Sequence, residues 1–269
     1  MKNYILMAVA GMLALSSCSS DDNDSNEQNV PRQMTFTAGF GNGAQTRATM
    51  DFSTNKVSFD ANDEISILST KNTNTKFTTT AGGASATFSG TAVDDTKFYA
   101  VYPYTTGLAL SGNVISGVVI PTSQWNAQWA DFDKNSSWDP KAPIAYATAI
   151  GSSLTFRLLC AILKINAKGG WVGTITISAD QNLAGTFSLD TSTGTLTATA
   201  GSKTVTTGKK SVNELKAFDD FLYIAIAPGS YTNFKVRAEW MDFIDEKTEA
   251  SITFAAGKIY DMGTFYPLP

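Results

Sequence analysis

Apolar and polar residues alternate in short runs along most of the chain. Glu64-Ile65-Ser66-Ile67-Leu68, Ala86-Thr87-Phe88-Ser89, Thr174-Ile175-Thr176-Ile177-Ser178 and Ser251-Ile252-Thr253-Phe254 all repeat with a period of two. That period turns every second side chain to one face, so each run reads as a β-strand with an apolar face and a face of Thr or Ser. Turn-forming residues part the runs at Ala81-Gly82-Gly83, Ser111-Gly112-Asn113, Ala167-Lys168-Gly169-Gly170, Thr193-Gly194 and Pro228-Gly229-Ser230. Many short strands with frequent turns predict an all-β sandwich or barrel. The run from Phe156 to Ile165 is almost continuously apolar, lies between β-like runs and has no helix-cap signal, so it is predicted as one central strand. Val212 to Phe218 has room for one helical turn, and no long amphipathic stretch suggests a coiled coil.

The Gly/Ser step Thr148-Ala149-Ile150-Gly151-Ser152-Ser153 reads as a domain boundary, dividing the folded chain into β-sandwiches over 34–150 and 151–269. Before them lie two segments of other character. Residues 1–17 carry one cation, Lys2, and an apolar run from Tyr4 to Leu15, the layout of a secretory signal peptide and too short to span a bilayer. The segment ends in Leu15-Ser16-Ser17-Cys18, which resembles a lipobox, so Cys18 is expected to be acylated and to become the mature N-terminus. Residues 18–33 then form a linker whose acidic stretch, Asp21 to Glu27, has no apolar residue and is expected to be disordered. Its Ser-Asp-Asp start resembles the export signal that follows the lipid cysteine in many lipoproteins of Bacteroidota. That resemblance implies the outer face of the outer membrane, a periplasm-facing spacer being the other reading.

Charge and chemistry narrow the function classes. Loss of Lys2 with the signal leaves 19 Lys and Arg against 24 Asp and Glu, a balance that argues against nucleic acid. Of the two cysteines, Cys18 is the expected lipid site, so Cys160 has no disulfide partner and reads as a buried core thiol. The chain contains no histidine, which removes His-based triads, Cys-His nucleophiles and His-ligated metal sites. Carboxylate-pair chemistry is open by composition, but no motif locates a pair. The expectation is a protein that is not an enzyme, with no cofactor and no catalytic residue.

The most unusual segment, Gln124 to Pro140, holds Trp125, Trp129 and Trp138 among amides and acids. Indoles stack on sugar rings while Asn, Gln and Asp bond hydroxyls, so the three tryptophans are candidate glycan contacts. The plainer reading has them capping the first sandwich. Asp131, Asp133, Asn135 and Asp139 hold part of a calcium-loop spacing, but Ser136 replaces its glycine and Ala142 its closing glutamate, so no metal site is assigned.

An ordered set of blocks resembles the fimbrillin family, the Mfa-like type V pilins of Bacteroidota. The blocks are Thr46-Arg47-Ala48, Phe59 to Ile67, Phe98-Tyr99-Ala100-Val101-Tyr102-Pro103-Tyr104, Ile144-Ala145-Tyr146-Ala147, Leu154-Thr155-Phe156-Arg157 with Ala161 to Ile165, and Ala256-Gly257-Lys258-Ile259-Tyr260. The resemblance implies two tandem transthyretin-like β-sandwich domains, export as a lipoprotein, cleavage between Arg47 and Ala48, and assembly by donor-strand exchange. Met34, Phe36, Ala38 and Phe40 share one face of a run that reads as a detachable edge strand, so a cut after Arg47 is expected to free an apolar groove for another subunit's strand. Stalk subunits of the family continue past the last core strand with a donor appendage, whereas this sequence ends Thr264-Phe265-Tyr266-Pro267-Leu268-Pro269. Pro267 and Pro269 lack N–H donors, which favours a tip or accessory role.

The leading expectation is a surface-exposed fimbrial adhesin subunit held to the membrane by lipid, with other pilus subunits and a host or bacterial surface ligand as partners. A monomeric surface glycan-binding lipoprotein is the alternative.

Overall fold

The computed structural model describes residues 29–41, 49–51, 56–124, 142–168, 174–208, 219–240 and 243–266. The described residues contain no α-helix. In chain order the strands are β1 (Pro31–Phe40), β2 (Thr49–Asp51), β3 (Lys56–Ser58), β4 (Glu64–Leu68), β5 (Thr75–Thr79), β6 (Ser85–Val93) and β7 (Tyr99–Tyr102). Then follow β8 (Ala109–Ser111), β9 (Val114–Ile120), β10 (Ala145–Ile150), β11 (Ser153–Leu158), β12 (Ala161–Lys168), β13 (Thr174–Ser178) and β14 (Ala184–Asp190). The last six are β15 (Leu196–Ser202), β16 (Thr204–Gly208), β17 (Asp219–Ile226), β18 (Gly229–Trp240), β19 (Phe243–Phe254) and β20 (Ile259–Phe265). The all-β expectation therefore holds, and the four alternating runs fall in β4, β6, β13 and β19.

Seven strands close into a barrel in the order β1-β11-β10-β7-β4-β5-β6, with β6 returning to β1. Its neighbours are antiparallel except β1 and β11, which run parallel. Alternate residues fill its interior: Ile65 and Ile67 from β4, Ala100 and Tyr102 from β7, Ala145 and Ala147 from β10, Leu154 and Phe156 from β11. Leu68, Tyr99, Val101 and Tyr146, which alternate with them, point outward but are also buried, because they join a second core, as does Leu158 at the end of β11. That double burial explains why Phe98 to Tyr102 and Ile144 to Ala147 read as continuous apolar runs with no alternation.

The second core lies among three further sheets, ordered β17-β12-β20, β16-β13-β18-β19 and β15-β14-β9-β8. Two features of this arrangement differ from the sequence reading. The step at 148–153 is the turn of a β10–β11 hairpin inside the barrel, with Ile150 opposite Ser153, while β9, which precedes it, pairs with the later β14. A Gly/Ser turn inside one sheet and a linker between two have the same local composition, and only non-local pairing separates them. The run from Phe156 to Ile165 is likewise two strands: β11 belongs to the barrel, β12 to the β17-β12-β20 sheet, and the chain crosses between cores at Leu159 and Cys160. Burial on both sides of the crossing gives it the look of one strand. The Val212 to Phe218 turn lies outside the described residues.

Cys160 is fully buried at this crossing, as its apolar setting predicts. Burial pushes its thiol up to about 12, so it stays protonated and inert. Its sulfur accepts from the Ile144 N–H at 3.4 Å.

Candidate functional site

The site is the slot in the barrel that β1 fills. β1 has ten residues, and its alternation sends Phe36 and Ala38 fully into the interior, with Met34 and Phe40 half-buried at the two ends. Thr35 and Thr37 face solvent, and Arg32 forms an ion pair with Asp94 on the outside. The one-sided face expected of Met34, Phe36, Ala38 and Phe40 is therefore real. The edge position is not: β1 lies between two neighbours, paired antiparallel with β6 from Pro31–Val93 to Gly39–Ser85 and parallel with β11 from Thr37–Ser153 to Phe40–Phe156. Alternation reports which face a strand buries but not how many neighbours it has.

Aromatic rings line the slot. Phe36 packs on Phe77 and Phe98, with centroids 5.5 and 5.3 Å apart. Phe40 stacks on Phe59 at 4.9 Å and meets Phe156 at 5.7 Å and Tyr102 at 6.3 Å. Burying a Phe side chain contributes about 1.5–3 kcal/mol, so β1 is held by its side chains as well as its ladders. Gly90 lies opposite Met34 in β6, and a Cβ there would come within 2.6 Å of the Phe77 ring and 2.8 Å of the Lys76 carbonyl oxygen. The slot's floor thus needs a residue with no side chain at that position. Phe77 and Gly90 escape the sequence reading, although a glycine inside an alternating strand is the available signal. Phe59, Phe98, Tyr102 and Phe156 do lie in blocks read from the sequence, but which face they line emerges only from the pairing.

The slot is apolar inside, and carboxylates mark both its ends. At the Phe40 end, Asp63 accepts from the Asp60 N–H at 2.9 Å and from the Tyr102 hydroxyl at 3.4 Å. Burial, aided by the charge of Asp60, raises Asp63 to about 6 against these bonds. At the Met34 end, burial pushes Asp95 upward, but the bonds from Thr70 Oγ1 at 2.7 Å, Thr96 N at 2.7 Å and Lys71 N at 3.1 Å outweigh it and hold the carboxyl at about 2.

The other expected site residues lie outside the described residues: Cys18, the Arg47–Ala48 cleavage pair, the tryptophans Trp125, Trp129 and Trp138, and the four residues of the calcium-like spacing. The described flanks of the tryptophan segment are firmly held. Gln124 is buried, donating to the Ala225 carbonyl at 2.6 Å and accepting from the Ala225 N–H at 2.9 Å, and Ala142 is fully buried.

No family model matches the chain, and no curated protein matches it. Among solved structures, a candidate cell adhesion protein from Bacteroides uniformis superposes with a TM-score of 0.51 at 18% identity, covering 86% of this chain and 92% of that one. A second, from Bacteroides ovatus, gives 0.44 at 13% identity over 77% of this chain and 84% of that one. The tip fimbrial protein Mfa3 from Porphyromonas gingivalis, truncated at its C-terminus, gives 0.35 at 9% identity over 86% and 94%. The first likeness is one of fold.

Proposed function

We propose that the chain is a fimbrillin-like adhesin subunit of the bacterial surface, whose β1 is cut away after Arg47 and replaced by an extended strand of another subunit. The observation that carries this reading is the place of β1. It is the chain's first described strand, it completes a barrel otherwise built from β4 to β7, β10 and β11, and it supplies Phe36 and Phe40 to an aromatic interior. Without it, β6 and β11 would present facing rows of unpaired N–H and C=O groups across an apolar floor, the arrangement that β-augmentation uses. The fold likeness to a candidate adhesion protein and the fimbrillin-like blocks support the same reading. The lipobox-like sequence at Cys18 supports membrane attachment before the cut, with the lipid leaving along with the first strand.

Mass spectrometry of the protein taken from the surface of producing cells tests this reading. Assembled material is expected to begin at Ala48, and unassembled precursor at an acylated Cys18. Assembled material that begins only at Cys18 would overturn it.

A further inference from the structure

On its β11 side, β1 is paired only from Thr37 onward, because β11 starts at Ser153. Thr37 donates its N–H to the Ser152 carbonyl at 2.8 Å, and alternation points the N–H and C=O of Thr35 and Gln33 the same way. Past the start of β11 those groups meet no paired strand among the described residues. A groove of about 240 Å³ opens at this place, floored by Phe36, Phe98 and Ala149. Its walls include Asp95, Thr96 and Ser152. Ile150, between the lining residues Ala149 and Gly151, is 84% exposed at the tip of the hairpin.

We infer that this groove receives an extended segment of a partner subunit while β1 is still in place. The segment sets one apolar side chain on Phe36 and Phe98 and a Lys or Arg against Asp95, and pairs its backbone with β1 at Thr35. Three observations favour that occupant. The volume falls below the roughly 300–1,000 Å³ usual for small-molecule sites but accommodates a side chain entering from a strand. The open backbone edge beside an apolar floor is what a strand, rather than a compact ligand, can satisfy. The carboxylate of Asp95, fixed by three donors, calls for a cation. That charge also argues against the chain's own leader, where Asp21, Asp22, Asp24 and Glu27 precede β1 with no Lys or Arg between Cys18 and Arg32. Seated there, the segment abuts the β1–β11 seam, which has four pairs against the nine of β1–β6, and so stands where β1 is most easily peeled away.

The identity of the occupant as a pilus subunit rests on the proposed function, but the groove is tested apart from it, on the uncut chain. Two acetylated heptapeptide amides serve as probes: Thr-Lys-Val-Thr-Val-Lys-Thr and the same sequence with Glu in place of Lys. By isothermal titration the basic probe should bind saturably and the acidic one should not. Ser152→Trp, which fills the groove from an exposed turn position, and Asp95→Asn should each weaken the basic probe about tenfold or more. Failure of the basic probe to saturate, equal binding of the acidic probe, or unchanged binding to Ser152→Trp would overturn the inference. If exchange of β1 in the cut chain succeeded while these titrations failed, only the groove would fall.

Discussion

Phe36 is the residue on which the seating of β1 most depends. Its ring is 1% exposed and touches Phe77 from β5 and Phe98 from the β6–β7 connection, so its loss leaves a cavity that strands on both sides of the barrel must close. Phe36→Ala is expected to cost about 3–5 kcal/mol in urea denaturation, the usual range for a buried Phe. A loss under about 1 kcal/mol would mean that β1 is not seated as described. Asp63 acts in the opposite sense. Between its ordinary value of 3.8 and about 6, the folded chain keeps a proton on Asp63 that the unfolded chain has released, so this group's contribution to stability falls as pH rises through that window. Asp63→Asn is expected to match the wild type near about pH 4 and to exceed it near about pH 8 in melting temperature. An unchanged difference between the two across that range would remove Asp63 as the cause.

At the scale of elements, the strands themselves are legible in the sequence. β4, β6, β13 and β19 carry the alternation that half-buried strands require, and turns fall at Gly82–Gly83, Gly112, Gly194 and Gly229. Gly112, Gly194 and Gly229 have positive φ, a conformation in which glycine carries no steric penalty. The face of β1 is also legible, through Met34, Phe36, Ala38 and Phe40. Its two neighbours are not, since the β6 partners lie more than forty residues away and the β11 partners more than a hundred, and no local pattern encodes such pairings. The same limit hides the hairpin turn at Gly151 and the crossing at Leu159–Cys160, where apolar residues run on because each belongs to one core or the other.

At the scale of the molecule, one wall of the barrel serves two interiors. β4, β7, β10 and β11 turn Ile67, Ala100, Ala147 and Phe156 inward, and Leu68, Val101, Tyr146 and Leu158 toward the second core. Tyr146 fastens that wall further by donating its hydroxyl to the Thr191 carbonyl at 3.1 Å. β1, β5 and β6 lie on the other arc of the ring and add no residue to the second core. Loss of β1 therefore opens the barrel between β6 and β11, at one border of the shared wall, and takes no residue from the second core, which holds the slot's framework. That division of labour is what a replaceable strand requires. The direct test is to cut the chain after Arg47 and offer it a fluorescent peptide with the sequence of residues 31–40. The cut chain should take up the labelled strand and melt at a higher temperature as its concentration rises, because a ligand bound only by the folded form stabilises it, while the uncut chain, its slot filled, takes up far less. A cut chain that excluded the peptide, or an uncut chain that bound it equally well, would contradict the account of β1 as a strand made to be replaced.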